Sequence, residues 1–220
     1  MKPWEHIATA RTPGGGLLEL IEHDGEFVIR ADGYELMVSR GHSSEAAMME
    51  LACPHPRAGA SVLVGGLGMG YTAAAALALL PARAAVVVAE LVPEVVEWNR
   101  GPLGPLAGHP LDDPRTEVVL GDVGAVIRAA TARFDAILLD VDNGPTALTD
   151  RGNSWLYTTA GLAAMHKALR PKGGLAIWSI GDEPSFEGRL RRGGFGPATH
   201  HVAAHGTRGP RHVVFVGQRQ

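Results

Sequence analysis

The sequence has a single cysteine, no excess of positive charge and no long apolar run. Because Cys53 cannot form an internal disulfide, we expect a reducing compartment and a cytoplasmic protein. The 20 Lys and Arg residues against 23 Asp and Glu residues give a net charge of −3, so there is no basic field to attract a nucleic acid or an anionic membrane. No stretch reaches the ~20 apolar residues of a membrane-spanning helix, and the N-terminal residues lack the pattern of a secretion signal. Neither nucleic-acid nor membrane partners are expected.

The 220 residues, 45% of them hydrophobic, suffice for a domain that buries roughly 70% of its unfolded surface. Residues 1–40 contain two Asp-Gly pairs between apolar runs, a pattern typical of β-hairpins. We therefore expect a small N-terminal β-meander of two or three strands over residues 1–40, and a main domain over residues 41–220. Ser43 or Ser44 is a candidate N-cap of a helix that reaches about Cys53.

Short apolar runs alternate with helical segments from residue 61 onward. This alternation predicts a parallel sheet with helices on both faces. Two later apolar runs flank a turn at residues 206–210 and predict a closing antiparallel hairpin. The expected fold class is α/β, with a doubly wound, mostly parallel, Rossmann-like sheet of the methyltransferase type. Its five parallel strands are predicted near residues 61–64, 86–89, 118–120, 134–139 and 175–179.

Glycines and carboxylates follow the predicted strands at the points where the strands end. Because ligands of open α/β sheets bind at the carboxyl ends of the strands, we expect these residues to share one site. Glu90 can accept hydrogen bonds from both hydroxyls of a ribose, and Asp122 can accept one from an exocyclic amine. The first turn carries Gly66, Gly68 and Gly70, which let the backbone approach a ligand closely. The pattern predicts a nucleoside site.

The glycine-rich turn has other interpretations. It also fits a strand-to-helix turn without a ligand, and Gly68-x-Gly70-x-x-Ala73 fits the dinucleotide fingerprint. A dinucleotide domain needs a second β-α-β half, whereas here the fifth strand is followed by a helix and an antiparallel hairpin. This arrangement favours a methyltransferase-type sheet.

Asp140 and Asp142 follow the fourth strand, where a reacting group would lie. Asp140 is the candidate general base, and Asp142 is the alternative. Trp155 and Tyr157 come after the polar loop that begins there, and we interpret them either as a lid over an acceptor or as core residues. The closing hairpin contains four histidines but no Cys or carboxylate, so no metal is expected.

Five stretches carry a family resemblance: VLVGGLGMG, VVVAELVPEVVEWNR, VVLGDV, FDAILLDVDNGP and LYTTAGLAAMHKALRPKGGLAIW. They resemble the class I S-adenosylmethionine-dependent transferases and, within them, the spermidine synthase (aminopropyltransferase) group, over residues 17–178. The resemblance implies that the three glycines lie near the methionine portion of the cofactor, that Glu90 holds the ribose and that Asp122 holds the adenine amine. It matches Asp140 to the carboxylate that handles the attacking amine.

The chain departs from this family on the acceptor side. Members carry a second Asp after the fourth strand, which anchors the far ammonium of a diamine. Here Asn143 stands at that place, or the carboxylate is displaced to Asp142. Members also carry a Tyr-Gln pair near the N terminus, but this chain has no Gln before Gln218. The chain keeps the predicted nucleoside site but departs from the family on the acceptor side. This combination indicates a different acceptor or a different transferred group.

The donor is expected to be S-adenosylmethionine or its decarboxylated form. Only the ordinary donor carries an α-carboxylate, and burying that group unpaired costs several kcal/mol. Arg40 is a candidate partner for it; the alternative is that Arg40 is a solvated or ion-paired loop residue. We expect methyl transfer to a small-molecule acceptor, in a homodimer. The alternatives are aminopropyl transfer from the decarboxylated donor to an amine, and a non-catalytic nucleoside-binding partner subunit.

Overall fold

A computed structural model describes residues 3–141, 145, 151–205 and 208–220. The first four strands are β1 (Glu5–Arg11), β2 (Leu17–His23), β3 (Glu26–Ala31) and β4 (Tyr34–Val38). They form an antiparallel sheet in the order of the chain. Asp24 and Gly25 join β2 to β3 with φ angles of 49° and 82°, and Asp32 and Gly33 join β3 to β4 with 49° and 83°. Positive φ at both turn residues is the geometry that Asp-Gly hairpins favour.

The prediction of two or three N-terminal strands was wrong, because it missed β1. Most side chains of β1 are exposed, and only Ala10 is buried. An edge strand with a single buried position carries no apolar alternation that a sequence could reveal. The small sheet therefore has four strands.

The main sheet confirms the predicted α/β fold. Its strands are β5 (Ser61–Gly65), β6 (Ala85–Glu90), β7 (Thr116–Leu120), β8 (Phe134–Leu139), β9 (Leu169–Ser179), β10 (Phe195–His205) and β11 (Arg208–Arg219). The spatial order is β10-β11-β9-β8-β5-β6-β7. Strands β9, β8, β5, β6 and β7 pair in parallel, and the hairpin of β10 and β11 adds antiparallel to β9.

The direction of winding reverses between β5 and β8. The chain runs from β5 through β6 to β7, and it returns on the other side of β5 with β8 and β9. The loops after β5 and β8 therefore leave the sheet in opposite directions, and such a reversal is where ligands of open α/β sheets bind.

The described residues form six α-helices that cover the main sheet: α1 (Ser43–Ala52), α2 (Tyr71–Leu79), α3 (Pro93–Arg100), α4 (Val123–Ala129), α5 (Thr159–Ala168) and α6 (Phe186–Arg192). Two apolar cores lie on opposite faces. Val62 and Val64 of β5 belong to the core with α1, α2 and α3, whereas Leu63 belongs to the core with α4, α5 and α6. Leu20 and Ile29 of the small sheet join the first of these cores, so the small sheet packs over that side of the site.

The start of α1 differs from its prediction. The N-cap residue is His42, which makes no side-chain cap hydrogen bond. Ser44 lies inside the helix, is fully buried and bonds to other side chains. The predicted Ser43 or Ser44 cap was therefore wrong. Among the described residues, no helix is both long and apolar enough to span a membrane.

Candidate functional site

The turn after β5 brings three strand ends together. Gly66, Gly68 and Gly70 have φ angles of 84°, 51° and 85°. A Cβ atom on Gly66 would lie 2.3 Å from the carbonyl oxygen of Asp140, so only glycine fits there. The Gly66 N–H donates to the Ala89 carbonyl at the end of β6, and the Asp140 N–H donates to the Gly65 carbonyl, both at 2.9 Å. The turn is thus held against both neighbouring strands.

Asn99 fixes the middle of this turn. Its side-chain amide donates to the Gly68 carbonyl at 2.8 Å and to the Val95 carbonyl at 2.9 Å. On the other side, a Cβ atom on Gly68 would lie 3.0 Å from the sulfur of Met37. The glycine turn is therefore held between α3 and the small sheet.

Glu90 ends β6 with a carboxylate that is 8% exposed. One oxygen accepts the Leu67 N–H at 2.9 Å, and the other accepts the Val92 N–H at 2.8 Å. Burial raises the pKa of Glu90, and the backbone donors lower it in part. Each oxygen keeps a further lone pair, so the carboxylate can still accept two hydroxyls while the backbone fixes its orientation.

Asp122 caps α4 by accepting the Gly124 N–H at 2.7 Å. It also pairs with Arg128 at 2.9 Å, and the Arg128 guanidinium lies over the ring of Trp155 at 4.7 Å from the ring centre. Trp155 therefore contacts Arg128, the ion-pair partner of Asp122.

A cavity of about 480 Å³ lies between the small sheet and the main sheet, a volume typical of small-molecule sites. We call it the donor cavity. The predicted Gly70 does not line it. The predicted residues that line it are Gly66, Gly68, Glu90, Asp122 and Asp140, and the small sheet and its connections add Thr12, Gly16, Leu17, Ile29, Asp32 and Leu36. Asn153 also lines it, although the sequence analysis did not single it out.

A second cavity of about 320 Å³ adjoins the first, and we call it the acceptor cavity. Gly68, Asp140 and Val141 line both, so the two cavities meet at the glycine turn and the end of β8. The remaining polar and aromatic lining of the acceptor cavity is Glu35, Glu45, Trp178 and His212.

Asp140 lies at this junction with a strongly perturbed carboxyl group. Burial and the nearby charge of Glu45 raise the pKa of Asp140 to about 7, and a hydrogen bond from the Thr72 hydroxyl at 2.8 Å lowers it in part. A carboxylate with a pKa near neutral pH suits a general base.

Glu45 supplies the second buried carboxylate of the acceptor cavity. It is 4% exposed, and its Oε2 atom accepts the Ser44 hydroxyl at 2.5 Å. Within residues 3–141, 145, 151–205 and 208–220, no salt bridge joins Glu45 or Asp140 to a basic side chain. Two neighbouring carboxylates without a cation make this end of the site electronegative.

Arg40 does not lie where it was predicted. Its guanidinium pairs with Glu26 at 3.1 Å, its side chain is 71% exposed, and it lines neither cavity. The ion pair across the small sheet holds Arg40 away from the glycine turn. Moreover, the described residues that line the two cavities include no lysine or arginine.

The aromatic lid is also not observed. Tyr157 is buried in the core, with its ring at 6.3 Å from Phe186 in an edge-on arrangement. Trp155 packs against the same core. Tyr157 is therefore a core residue and not a lid, whereas Trp155 is only half-buried. Asp142 and Asn143 lie outside the described residues.

One sequence signal could have identified Glu45. Met48, Met49 and Ala52 follow it at helical spacing, and all four are buried on one face of α1. A charged residue on the buried face of an amphipathic helix needs a partner or a function. No comparable local signal marks Thr72, Trp178 or His212, which reach the site through tertiary contacts.

The strand order and the crevice at the glycine turn are those of the class I S-adenosylmethionine-dependent transferase fold. Residues 45–185 match the family described as the spermine/spermidine synthase domain. The chain belongs to this family, as the resemblance in its motifs indicated.

The curated relatives include the polyamine aminopropyltransferases of Mycobacterium tuberculosis and Mycobacterium bovis. Each is 34% identical to this chain over 152 residues, which cover 64% of this chain and 28% of the relative. The chain thus spans less than a third of the length of these relatives.

Solved structures share the fold. A spermidine synthase in complex with the transition-state analogue AdoDATO matches 98% of this chain and 72% of its own, with a TM-score of 0.75 and 20% identity. The spermidine synthase from Thermotoga maritima matches the same shares, with a TM-score of 0.72 and 19% identity. The relatives support the alternative of aminopropyl transfer better than the methyl transfer that the sequence analysis favoured.

Proposed function

We propose that the protein transfers the aminopropyl group of decarboxylated S-adenosylmethionine to a cationic amine. The observation that carries this proposal is the pair of buried carboxylates in the acceptor cavity, Asp140 and Glu45, which lack a basic partner among the described residues. A protonated amine would balance their charge. The names of the curated relatives, which are polyamine aminopropyltransferases, agree with such an acceptor.

The charge of the site also favours the decarboxylated donor. The α-carboxylate of the ordinary donor would meet no lysine or arginine among the described cavity residues, and Asp140 would lie at the same junction. An unpaired buried carboxylate costs several kcal/mol, and like charges add to this cost. Both donors carry an ammonium group, which the carboxylates attract, but the decarboxylated donor lacks the carboxylate that these groups repel.

In this proposal Glu90 binds the ribose hydroxyls, and Asp122 accepts a hydrogen bond from the adenine amine. Both side chains line the donor cavity, and backbone N–H groups hold both carboxylates in place. Such preorganisation reduces the entropic cost of binding.

Asp140 acts as the general base. The attacking amine is protonated in solution and must release a proton before its lone pair can form a bond. Asp140 accepts that proton, and the Thr72 hydroxyl fixes the orientation of the carboxylate. The new carbon–nitrogen bond forms as the carbon–sulfur bond of the donor breaks, and the thioether leaves.

Mass spectrometry of the purified protein tests the proposal. We expect putrescine to gain one aminopropyl unit with the decarboxylated donor, and to gain no methyl group with ordinary S-adenosylmethionine. Methylated product from the ordinary donor would contradict the proposal. Binding of the thioether without any product would favour the non-catalytic alternative.

A further inference from the structure

Four side chains form a hydrogen-bonded cluster beside the acceptor cavity: Ser44, Glu45, Trp178 and His212. The Trp178 indole N–H donates to Ser44 Oγ at 3.0 Å, and His212 Nδ1 lies 2.9 Å from the same oxygen. Ser44 Oγ in turn donates to Glu45 Oε2. Ser44 is fully buried, so water does not compete for these bonds.

The chemistry of the groups fixes the direction of each bond. A hydroxyl has one hydrogen and two lone pairs, an indole nitrogen only donates, and a carboxylate only accepts. The Ser44 hydrogen therefore goes to Glu45, and Trp178 occupies one lone pair. The second lone pair accepts from His212 when Nδ1 carries a hydrogen. With that tautomer every hydrogen-bonding position of Ser44 is used.

The cluster joins distant parts of the chain. Ser44 and Glu45 belong to α1, Trp178 to β9 and His212 to β11. The rings of Trp178 and His212 meet edge to face with centres 4.7 Å apart. Ser44 and His212 lie outside residues 45–185, which match the family, so the cluster combines the shared domain with segments beyond it.

We propose that Ser44, Trp178 and His212 are positioning residues that hold Glu45 so that it binds the second ammonium of a diamine acceptor. Glu45 Oε2 is held by Ser44, and among the described residues no group donates to Oε1, which leaves this atom for the substrate. Asp140, which the proposed function assigns to the attacking amine, lines the same cavity. The inference rests on the proposed function and makes the cluster the feature that selects diamines over monoamines.

The test compares putrescine with n-butylamine, which has one amine fewer. In the wild-type protein we expect putrescine to have the lower KM. Ser44→Ala removes the hydrogen bond to the charged Glu45 and should raise the KM for putrescine about tenfold. His212→Phe removes the bond that orients Ser44 and should raise this KM by a similar factor. The KM for butylamine, the KM for the donor and kcat should change less than threefold. The preference for the diamine thus falls about tenfold.

His212→Asn is the conservative variant, since its amide nitrogen can occupy the place of Nδ1. It should keep the diamine preference that His212→Phe loses. His201→Gln is the matched control: it lies in the same hairpin, is exposed and lines neither cavity. An equal loss with both amines, or equal behaviour of His212→Asn and His212→Phe, would overturn the positioning role.

Calorimetry separates this inference from the proposed function. Titration with the two amines measures the same preference without turnover. If no aminopropyl product forms but Ser44→Ala reduces the preference in binding, the positioning role stands and the proposed reaction fails. If transfer occurs and the variants keep the full preference, the positioning role fails alone. Absence of amine binding to the wild-type protein contradicts both.

Discussion

The donor and acceptor cavities meet at Asp140 but are built in different ways. In the donor cavity, Glu90 and Asp122 follow neighbouring parallel strands, and backbone N–H groups hold both carboxylates. In the acceptor cavity, Glu45 comes from a helix and His212 from the closing hairpin. Burial and the charge of Glu45 raise the pKa of Asp140 there. In the proposed function, the regular sheet supplies nucleoside recognition, and the unbalanced charge marks the place of a cationic substrate.

The largest effect is expected at the junction of the two cavities. Asp140→Asn keeps the size of the side chain but removes the base, so turnover should fall by roughly 10² to 10⁴. Affinity for the donor should change less than about tenfold, because Glu90 and Asp122 remain. Steady-state kinetics and calorimetry measure the two quantities. Turnover near the wild-type value would assign the base to another group, and Asp142→Asn is the variant to compare.

The same substitution has a second consequence, for stability. Because folding raises the pKa of Asp140 from 3.8 to about 7, the charged carboxylate destabilises the folded protein. The cost is fully present above about pH 7 and fades as the pH falls toward 4. Asp140→Asn should therefore stabilise the protein by roughly 2 to 4 kcal/mol at pH 8 and by little at pH 4. Urea unfolding at both pH values tests this, and equal stabilisation at both would refute the cause given.

On the donor side, Glu90→Ala should weaken binding of the donor and of the thioether product by about 1.5 to 3 kcal/mol, as expected for lost hydrogen bonds to a charged group. The loss includes looser backbone at Leu67 and Val92, which Glu90 holds. Glu94→Ala is the control, because Glu94 is exposed on α3 and lines neither cavity. Unchanged affinity by calorimetry would reject Glu90 as the ribose ligand.

On the acceptor side, Glu45→Gln should raise the KM for putrescine about tenfold. It should also lower the pKa of Asp140, because a like charge next to that carboxyl is removed. The acid limb of the pH profile of kcat/KM then moves to lower pH. Glu50→Gln, on the exposed face of the same helix, should leave the profile in place. An unshifted limb in Glu45→Gln would show that the two carboxylates do not interact.

The smallest effect is expected for Arg40→Ala. The exposed pair with Glu26 contributes at most about 1 kcal/mol to stability. Since Arg40 lines neither cavity, the ratio of affinities for the two donors should not change. A tenfold change in that ratio would show that Arg40 contributes to the donor site.

The donor half could be predicted from the sequence because its geometry follows from chain order. Each of Gly66, Glu90 and Asp122 follows a parallel strand, and such strand ends lie at one edge of the sheet. The acceptor half could not be predicted in this way. Ser44 and His212 are 168 positions apart, and their contact depends on how the closing hairpin packs against α1.

The sequence left two side chains with alternative positions, Arg40 and Tyr157, for the same reason. Arg40 was placed from its position before α1, but its partner, Glu26, lies on the neighbouring strand β3. Tyr157 follows a polar loop, yet the apolar surface of Phe186 gives its ring a buried site. In both cases a tertiary contact determines the direction of the side chain. The neighbouring residues in the sequence do not reveal that contact.

Calorimetric comparison of the two donors tests the central claim most directly. Ordinary S-adenosylmethionine and its decarboxylated form differ only in the α-carboxylate, for which the described lining of the two cavities offers no lysine or arginine. The account predicts that the decarboxylated donor binds at least tenfold more tightly at pH 8, where Asp140 is charged. Equal affinity, or tighter binding of the ordinary donor, would contradict it.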